Sequence, residues 1–269
     1  MILILIIVIF VPMKYTSVFY LFTCLCLTLF SCKEPGCTDP NALNFDSDAN
    51  EEDNSCLYNS NLNIEFRLLD GNQDFAKYDT IQNNDFSFRL ENMKFYISDL
   101  QLKSSGGNIN LADVHLYDID DENTHNLTFE VEEGSYEGLN FGIGLNSEQN
   151  GTTPADYAVD HPLGLNKNTF WAMVPSSYIF VMIEGKMDTT LNGDFYPITY
   201  HLAHNDLLKN MDLNHSISIS QNIESQVINV DLSEIFKDVD LSKELPHQST
   251  VSPLAQLLIE NFSASFEIE

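Results

Sequence analysis

Basic residues are scarce in this 269-residue chain: 12 Lys and Arg stand against 40 Asp and Glu, a net charge of −28. Such a surface repels nucleic acid and anionic membrane and attracts cations, so no nucleic-acid partner is expected. Thiols are few as well. Of the five cysteines, Cys24 and Cys26 fall inside an apolar leader and Cys32 at its end, which leaves Cys37 and Cys56 for the rest of the chain. No cysteine remains for a thiolate metal site or a catalytic nucleophile. Glycine-rich phosphate loops are missing, and HExxH, GxSxG and CxxC do not occur after the leader. Paired carboxylates are present (Asp118, Asp120, Asp121; Glu132, Glu133), but they sit in apparent loops without a nearby His, Lys or Arg. Acid–base catalysis needs two environments that drive pKa values apart, and nothing in the pattern supplies them. The chain is therefore expected not to be an enzyme.

The leader sets the compartment. Residues 1–12 are apolar without a basic group, and a second start at Met13 is followed by Lys14, an apolar run and Ser31-Cys32. A basic region, a short hydrophobic stretch and a small residue before the cut describe a secretory signal. Leu29-Phe30-Ser31-Cys32 resembles a lipobox, in which the Cys32 thiol is lipidated and becomes the new N-terminus. The rival reading is an uncleaved transmembrane anchor, since the apolar stretch from Met1 is long enough to span a bilayer. Export leaves Cys37 and Cys56 as an even pair in an oxidising compartment, where a disulfide is the natural state.

Three regions follow: a signal peptide over 1–31, a lipid-anchored acidic spacer over 32–61 and a domain over 62–269. The spacer is rich in Asp, Asn, Ser and Pro and poor in hydrophobics, a composition of turns rather than of a core. It looks like the short Cys-bounded, Asp-rich modules of Bacteroidetes surface proteins. Asp39, Asp46, Asp48 and Asp53 offer hard oxygen ligands to calcium, although solvated carboxylates without a metal are the ordinary state of an acidic loop. Beyond it, short alternating or apolar segments recur with turn signals between them, at 62–68, 93–102, 114–119, 127–131, 138–143, 178–183, 198–202, 217–219, 226–230 and 262–268. Helical spacing is convincing only in SPLAQLLIEN near the end. The pattern predicts an all-β fold, a two-sheet antiparallel sandwich with a short C-terminal helix.

Histidines are the remaining chemistry. His115 lies mid-strand in Asp113-Val114-His115-Leu116-Tyr117. His201 lies in Tyr200-His201-Leu202-Ala203-His204, where strand alternation sends His204 away from it or into the following loop. Imidazoles from two neighbouring strands are a standard way to hold copper or zinc, and mid-strand histidines without a ligand role are also common. His125 and His215 read as turn or surface residues. Trp171, the single tryptophan, reads as a core or rim anchor before a buried strand, and Met173 beside it as filler or a soft thioether ligand.

Several segments together resemble the MbnP-like family, related to the copper-binding MopE/CorA proteins of methanotrophs. They are FRL at 88–90, MKFYISDLQL at 93–102, VHL at 114–116, LNFGIG at 139–144, HPL at 161–163, FWAM at 170–173 with YIF at 178–180 and EG at 184–185, YHL at 200–202 and LAQLLIENFSASF at the end. The resemblance implies a β-sandwich holding copper through two histidines, best matched by His201 and His115. It also implies a tryptophan oxidised to kynurenine by a dihaem partner of the cytochrome c peroxidase type. Two residues before His115, where the family carries that tryptophan, this chain has Asp113, a third and harder ligand that favours Cu(II) or zinc. Taken together, the expectation is a lipoprotein of the outer membrane, on its periplasmic or outer face, that captures or passes on copper. The runner-up is a metal-free interaction module serving an outer-membrane transporter or surface complex, and a surface-polymer hydrolase comes third.

Overall fold

The computed structural model describes residues 33–82, 85–220, 223–241, 244, 247–248 and 251–269. The leader and Cys32, the residue expected to be lipidated, lie outside the described residues. Contacts divide the chain into two compact units after Tyr58, slightly before the boundary drawn from sequence, because the first long strand begins at Asn59.

In the first unit Cys37 and Cys56 form the expected disulfide. Its acids mostly hold turns. Asp39 accepts from the backbone of Asn41 and from the Tyr58 hydroxyl, Asp46 from Asp48 N, and Asp53 from Ser55 N. Glu52 accepts from Thr38 and Asn54. Three of the four carboxylates open to calcium are thus engaged by nearby donors, as Asx turns require. Glu52 and the two cysteines are the one group of three metal-type donors close together among the described residues, and the disulfide removes both thiolates from it.

The second unit is built from ten main strands: β1 (Asn59–Asp70), β2 (Ser87–Lys103), β3 (Ile109–Asp118), β4 (Asn126–Glu132), β5 (Gly134–Ile143), β6 (Ser177–Asp188), β7 (Tyr196–Ala203), β8 (Lys209–Ile219), β9 (Glu224–Asp231) and β10 (Phe266–Ile268). They form a sandwich of a nine-stranded and a five-stranded sheet. β2 is the spine of the larger sheet. One of its edges takes β6 along residues 87–95 and β5 along 97–103, and its other edge takes Thr80–Gln82 and then β3. β7 continues the sheet beyond β6, and β8 continues it beyond β5. In the smaller sheet β1 lies between β9 and β4, with β10 outside β9. Most pairs are antiparallel, as hairpin-rich β chains favour. The β1–β9 pair is parallel, joining strands far apart in sequence, which a long crossover permits.

Alternation fixes which residues fill the space between the sheets. Along β1, Leu62, Ile64, Phe66 and Leu68 point inward while their neighbours stay partly exposed, the period-two pattern of a half-buried strand. Phe95 of β2 sits at the centre, with its ring against Phe66 (6.0 Å), Tyr117 (4.6 Å), Phe262 (5.3 Å) and Phe266 (5.7 Å). The C-terminal helix Pro253–Ala264 closes one end by burying Leu254, Ala255, Leu258, Ile259 and Phe262. Ser252 caps it and Pro253 occupies its first turn, both at home there. Phe262 therefore belongs to the helix, and the closing strand keeps only Phe266–Ile268.

Candidate metal site on the outer face

Directly opposed residues in antiparallel strands point to the same side of a sheet, so the register decides which side chains can meet. Ile97 faces His115, and Phe95 faces both Tyr117 and Val181, with Val181 in turn opposite Leu202. That set turns into the space between the sheets. Lys94 faces Asp118 and Met182, and Met182 faces His201. That set turns outward. His115 and His201 thus lie on opposite faces of one sheet, with β2 and β6 between their strands. The structure does not bring the two rings together. Sequence alternation places each on a face of its own strand, but only the register relates the two strands.

His115 is a core residue. Its ring lies parallel to Phe66 at 6.0 Å, and Nε2 is 2.8 Å from the Thr124 carbonyl, to which it donates. Burial pushes its pKa below the usual 6.5, the Thr124 bond opposing this and the charge of His125 reinforcing it. The unfolded chain therefore binds a proton near pH 6.5 that the folded chain refuses, and stability falls as pH drops through that value. Urea midpoints of the wild type are expected to decline from about pH 7.5 to about pH 5.5 more steeply than those of His115→Gln, whose amide keeps the bond to Thr124 without titrating. Equal slopes in the two proteins would remove His115 as the cause.

Asp113, the third residue of the sequence-derived site, is exposed on β3 and accepts from Asn110 Nδ2 at 2.8 Å. It shares a strand with His115 and does not reach His201. Two acids read as lacking a basic neighbour do have one: Asp118 pairs with Lys94 (2.7 Å) where both are largely buried, and Asp120 pairs with Lys77 (2.6 Å). His125 is tied to the Asp118 carbonyl and stacked on Tyr117, so it pins the turn after β3. Met173 is three-quarters exposed in the segment after Trp171.

His201 is placed differently. Its side chain is 17% exposed, and Nε2 lies 2.7 Å from Glu184 Oε1. The other Glu184 oxygen accepts from Asn92 Nδ2 (2.9 Å), and the same amide donates to the sulfur of Met182 (3.3 Å). The hydrogen bond from His201 holds the Glu184 carboxyl below its ordinary range, with Asn92 and Lys94 assisting and burial opposing. A register shift between Glu184 and Gly185 borders the group. Gly185 is needed there, since a Cβ would come within 2.2 Å of the Arg89 carbonyl, and bulges of this kind often sit beside functional side chains. The indole of Trp171 lies 6.0 Å from the His201 ring and 6.2 Å from that of His204. His204 has a positive φ of 82°. That left-handed turn breaks the alternation which would have carried its ring away, and it brings His204 to the indole.

The sequence model of the MbnP family matches residues 59–252, most of the chain. The chain belongs to the MbnP family. The solved structure of MbnP from Methylosinus trichosporium has a TM-score of 0.51 to this chain at 12% identity, over 78% of this chain and 98% of that one. At that identity the likeness is one of fold. No curated protein matches the chain. The stretch assigned to the MbnP family contains every residue of the outer-face group, whereas the whole C-terminal helix lies beyond it.

The donors of that group suit a transition-metal ion. Two donors bonded to one ion at about 2 Å in tetrahedral geometry sit about 3.3 Å apart, so His201 Nε2 and Glu184 Oε1, hydrogen-bonded at 2.7 Å, part by about 0.6 Å to share one. Asn92 Oδ1 is buried with no hydrogen-bond partner, a polar atom beside the group with coordinating or accepting capacity to spare. Sequence reading found His201, counted Glu184 only among the residues that resemble the family and gave it no ligand role, and missed Met182 and Asn92. Their signal is available only once β2, β6 and β7 are aligned side by side.

Proposed function

We propose that this chain is a non-enzymatic envelope lipoprotein, anchored through Cys32, that binds copper on the outer face of its larger sheet. His201 and Glu184 hold the ion, and Trp171 lies alongside. The observation that carries the proposal is the imidazole–carboxylate pair, open to solvent on one side and backed by a thioether and an amide. An ion at Nε2 takes the place of the shared proton and leaves the ring proton on Nδ1, so uptake is coupled to the tautomer of His201. The acidic surface raises the local concentration of cations around the site. Capture or transfer of copper, rather than chemistry on a substrate, is the role these features suit.

Trp171 provides the test, because a single indole reports on one location. Titrating copper, as Cu(II) or as Cu(I) under reductant, into metal-free protein is expected to quench tryptophan fluorescence with a break at one equivalent. A flat titration to several equivalents would contradict the proposal and favour the metal-free interaction module.

A further inference from the structure

We propose that the outward face of the larger sheet carries a second binding site, a groove over β2, β5 and β8 that takes neutral saccharide units. It is separate from the copper site: Ser98 on its floor lies six residues beyond Asn92 on β2, about 20 Å along the strand.

The strand register builds the groove. Ser98, Gly142 and Asn210 stand in one row across β2, β5 and β8, and Gln101, Asn140 and Asp212 stand in the next. Opposed residues share a face, so polar side chains surround a central glycine. Between the rows β2 places two residues, Asp99 and Leu100, against the single Phe141 of β5. That bulge has Asp99 at a φ of 51°. It sends Leu100 into the core and leaves Asp99 exposed at the rim, the kind of re-aiming that bulges provide. Gly142 keeps the centre low, since a Cβ there would come within 2.5 Å of Ser98 Oγ and 3.1 Å of Leu208. The hollow over it measures about 340 Å³. Asp99 also borders a second hollow of about 360 Å³. Tyr157 and His161 line that one, their rings stacked at 4.3 Å.

Two buried polar atoms on this floor have no hydrogen-bond partner among the described residues. They are Ser98 Oγ, in a side chain 1% exposed and aimed at the gap above Gly142, and Asn140 Oδ1. Unsatisfied groups of this kind are costly and call for a ligand. Hydroxyls and amides both donate and accept, as the hydroxyls of a sugar do. Charge argues against a cation here, because Lys103 already holds Asp212 and the Asn146 amide holds Asp99. Volume agrees, since pockets of about 300–1,000 Å³ house molecules and not single ions. An acidic sugar is disfavoured by Asp113 and Glu148 in the second hollow, where like charges repel. A neutral ring fits both hollows: its hydroxyls meet Ser98, Asn140 and Asn210, and the next unit lies along Tyr157. Aromatic rings with a few convergent polar groups are the ordinary make of such sites.

The side-chain amides of Asn140 and Asn210 report on the groove directly by nuclear magnetic resonance. Maltotriose, cellotriose and acetylated chitotriose are titrated separately, to millimolar concentration, into isotope-labelled protein. At least one is expected to shift both amide signals and to leave the Trp171 indole signal in place. Asn210→Ala, a change at an exposed side chain, is expected to weaken that binding about fivefold or more, the value of one lost hydrogen bond. Copper binding by the same variant is expected to stay as in the wild type. Silence of both amides with all three sugars overturns the proposal. So does equal affinity in wild type and Asn210→Ala, which places the sugar elsewhere. A response to calcium chloride in place of the sugars overturns it too, by making the groove a cation site. The copper site stands or falls independently of each outcome.

Discussion

His201→Ala is expected to abolish stoichiometric copper binding, while His115→Gln binds copper as the wild type does. The expected loss for His201→Ala is about 100-fold or more in affinity, since even outer-shell partners of a ligating imidazole are worth about 10–100-fold. The contrast follows from the register. His201 shares the outward face with Met182 and, through Glu184, with Asn92. His115 lies on the inward face against Phe66, with its Nε2 committed to the Thr124 carbonyl. Copper content of dialysed protein, measured for both variants beside thermal unfolding, separates the two roles. If His115→Gln loses the metal and His201→Ala keeps it, the site has been placed on the wrong side of the sheet.

Phe95→Ala is expected to lower the unfolding free energy by about 3–5 kcal/mol, the range for truncating a large aromatic in a closed core. Phe95 is fully buried, and four aromatic rings lean on it from both sheets and from the C-terminal helix. Edge-to-face and offset-stacked aromatic pairs add about 0.5–1.5 kcal/mol each beyond the area they bury. The cavity left behind is walled by strands on both sides and cannot collapse easily. Urea unfolding followed by far-ultraviolet circular dichroism measures the loss. A value below about 1.5 kcal/mol would mean that the packing around Phe95 relaxes freely, contrary to a close-packed interior.

Much of the sandwich was legible before any coordinates. The alternation in residues 62–68 and the apolar run at 178–183 identify β1 and β6, and Ser252-Pro253 announces the C-terminal helix. Strand ends were less visible: β2 begins at Ser87, with Phe88 and Leu90 already buried, and β8 begins at Lys209, where ladder hydrogen bonds extend the strand past the residues whose side chains are buried. The site was legible only in part. His201 stands in Tyr200-His201-Leu202, one of the stretches that resemble the family, but its partners come from β2 and β6. Sequence separation hides a cross-strand neighbour such as Met182 or Glu184 until the register is known. His115 misled for the same reason, since a mid-strand histidine looks alike from either face. His204 was hidden by its left-handed backbone, a conformation that a non-glycine residue adopts only where the surrounding structure enforces it.

The most direct test of the central claim is the position of the bound ion itself. Crystals grown with copper, measured at energies on either side of the copper absorption edge, give an anomalous difference map that locates the metal without assumption. The account predicts one strong peak beside His201 Nε2 and Glu184 on the outward face of the larger sheet. A peak beside His115 between the sheets, or none on the outward face, would contradict it.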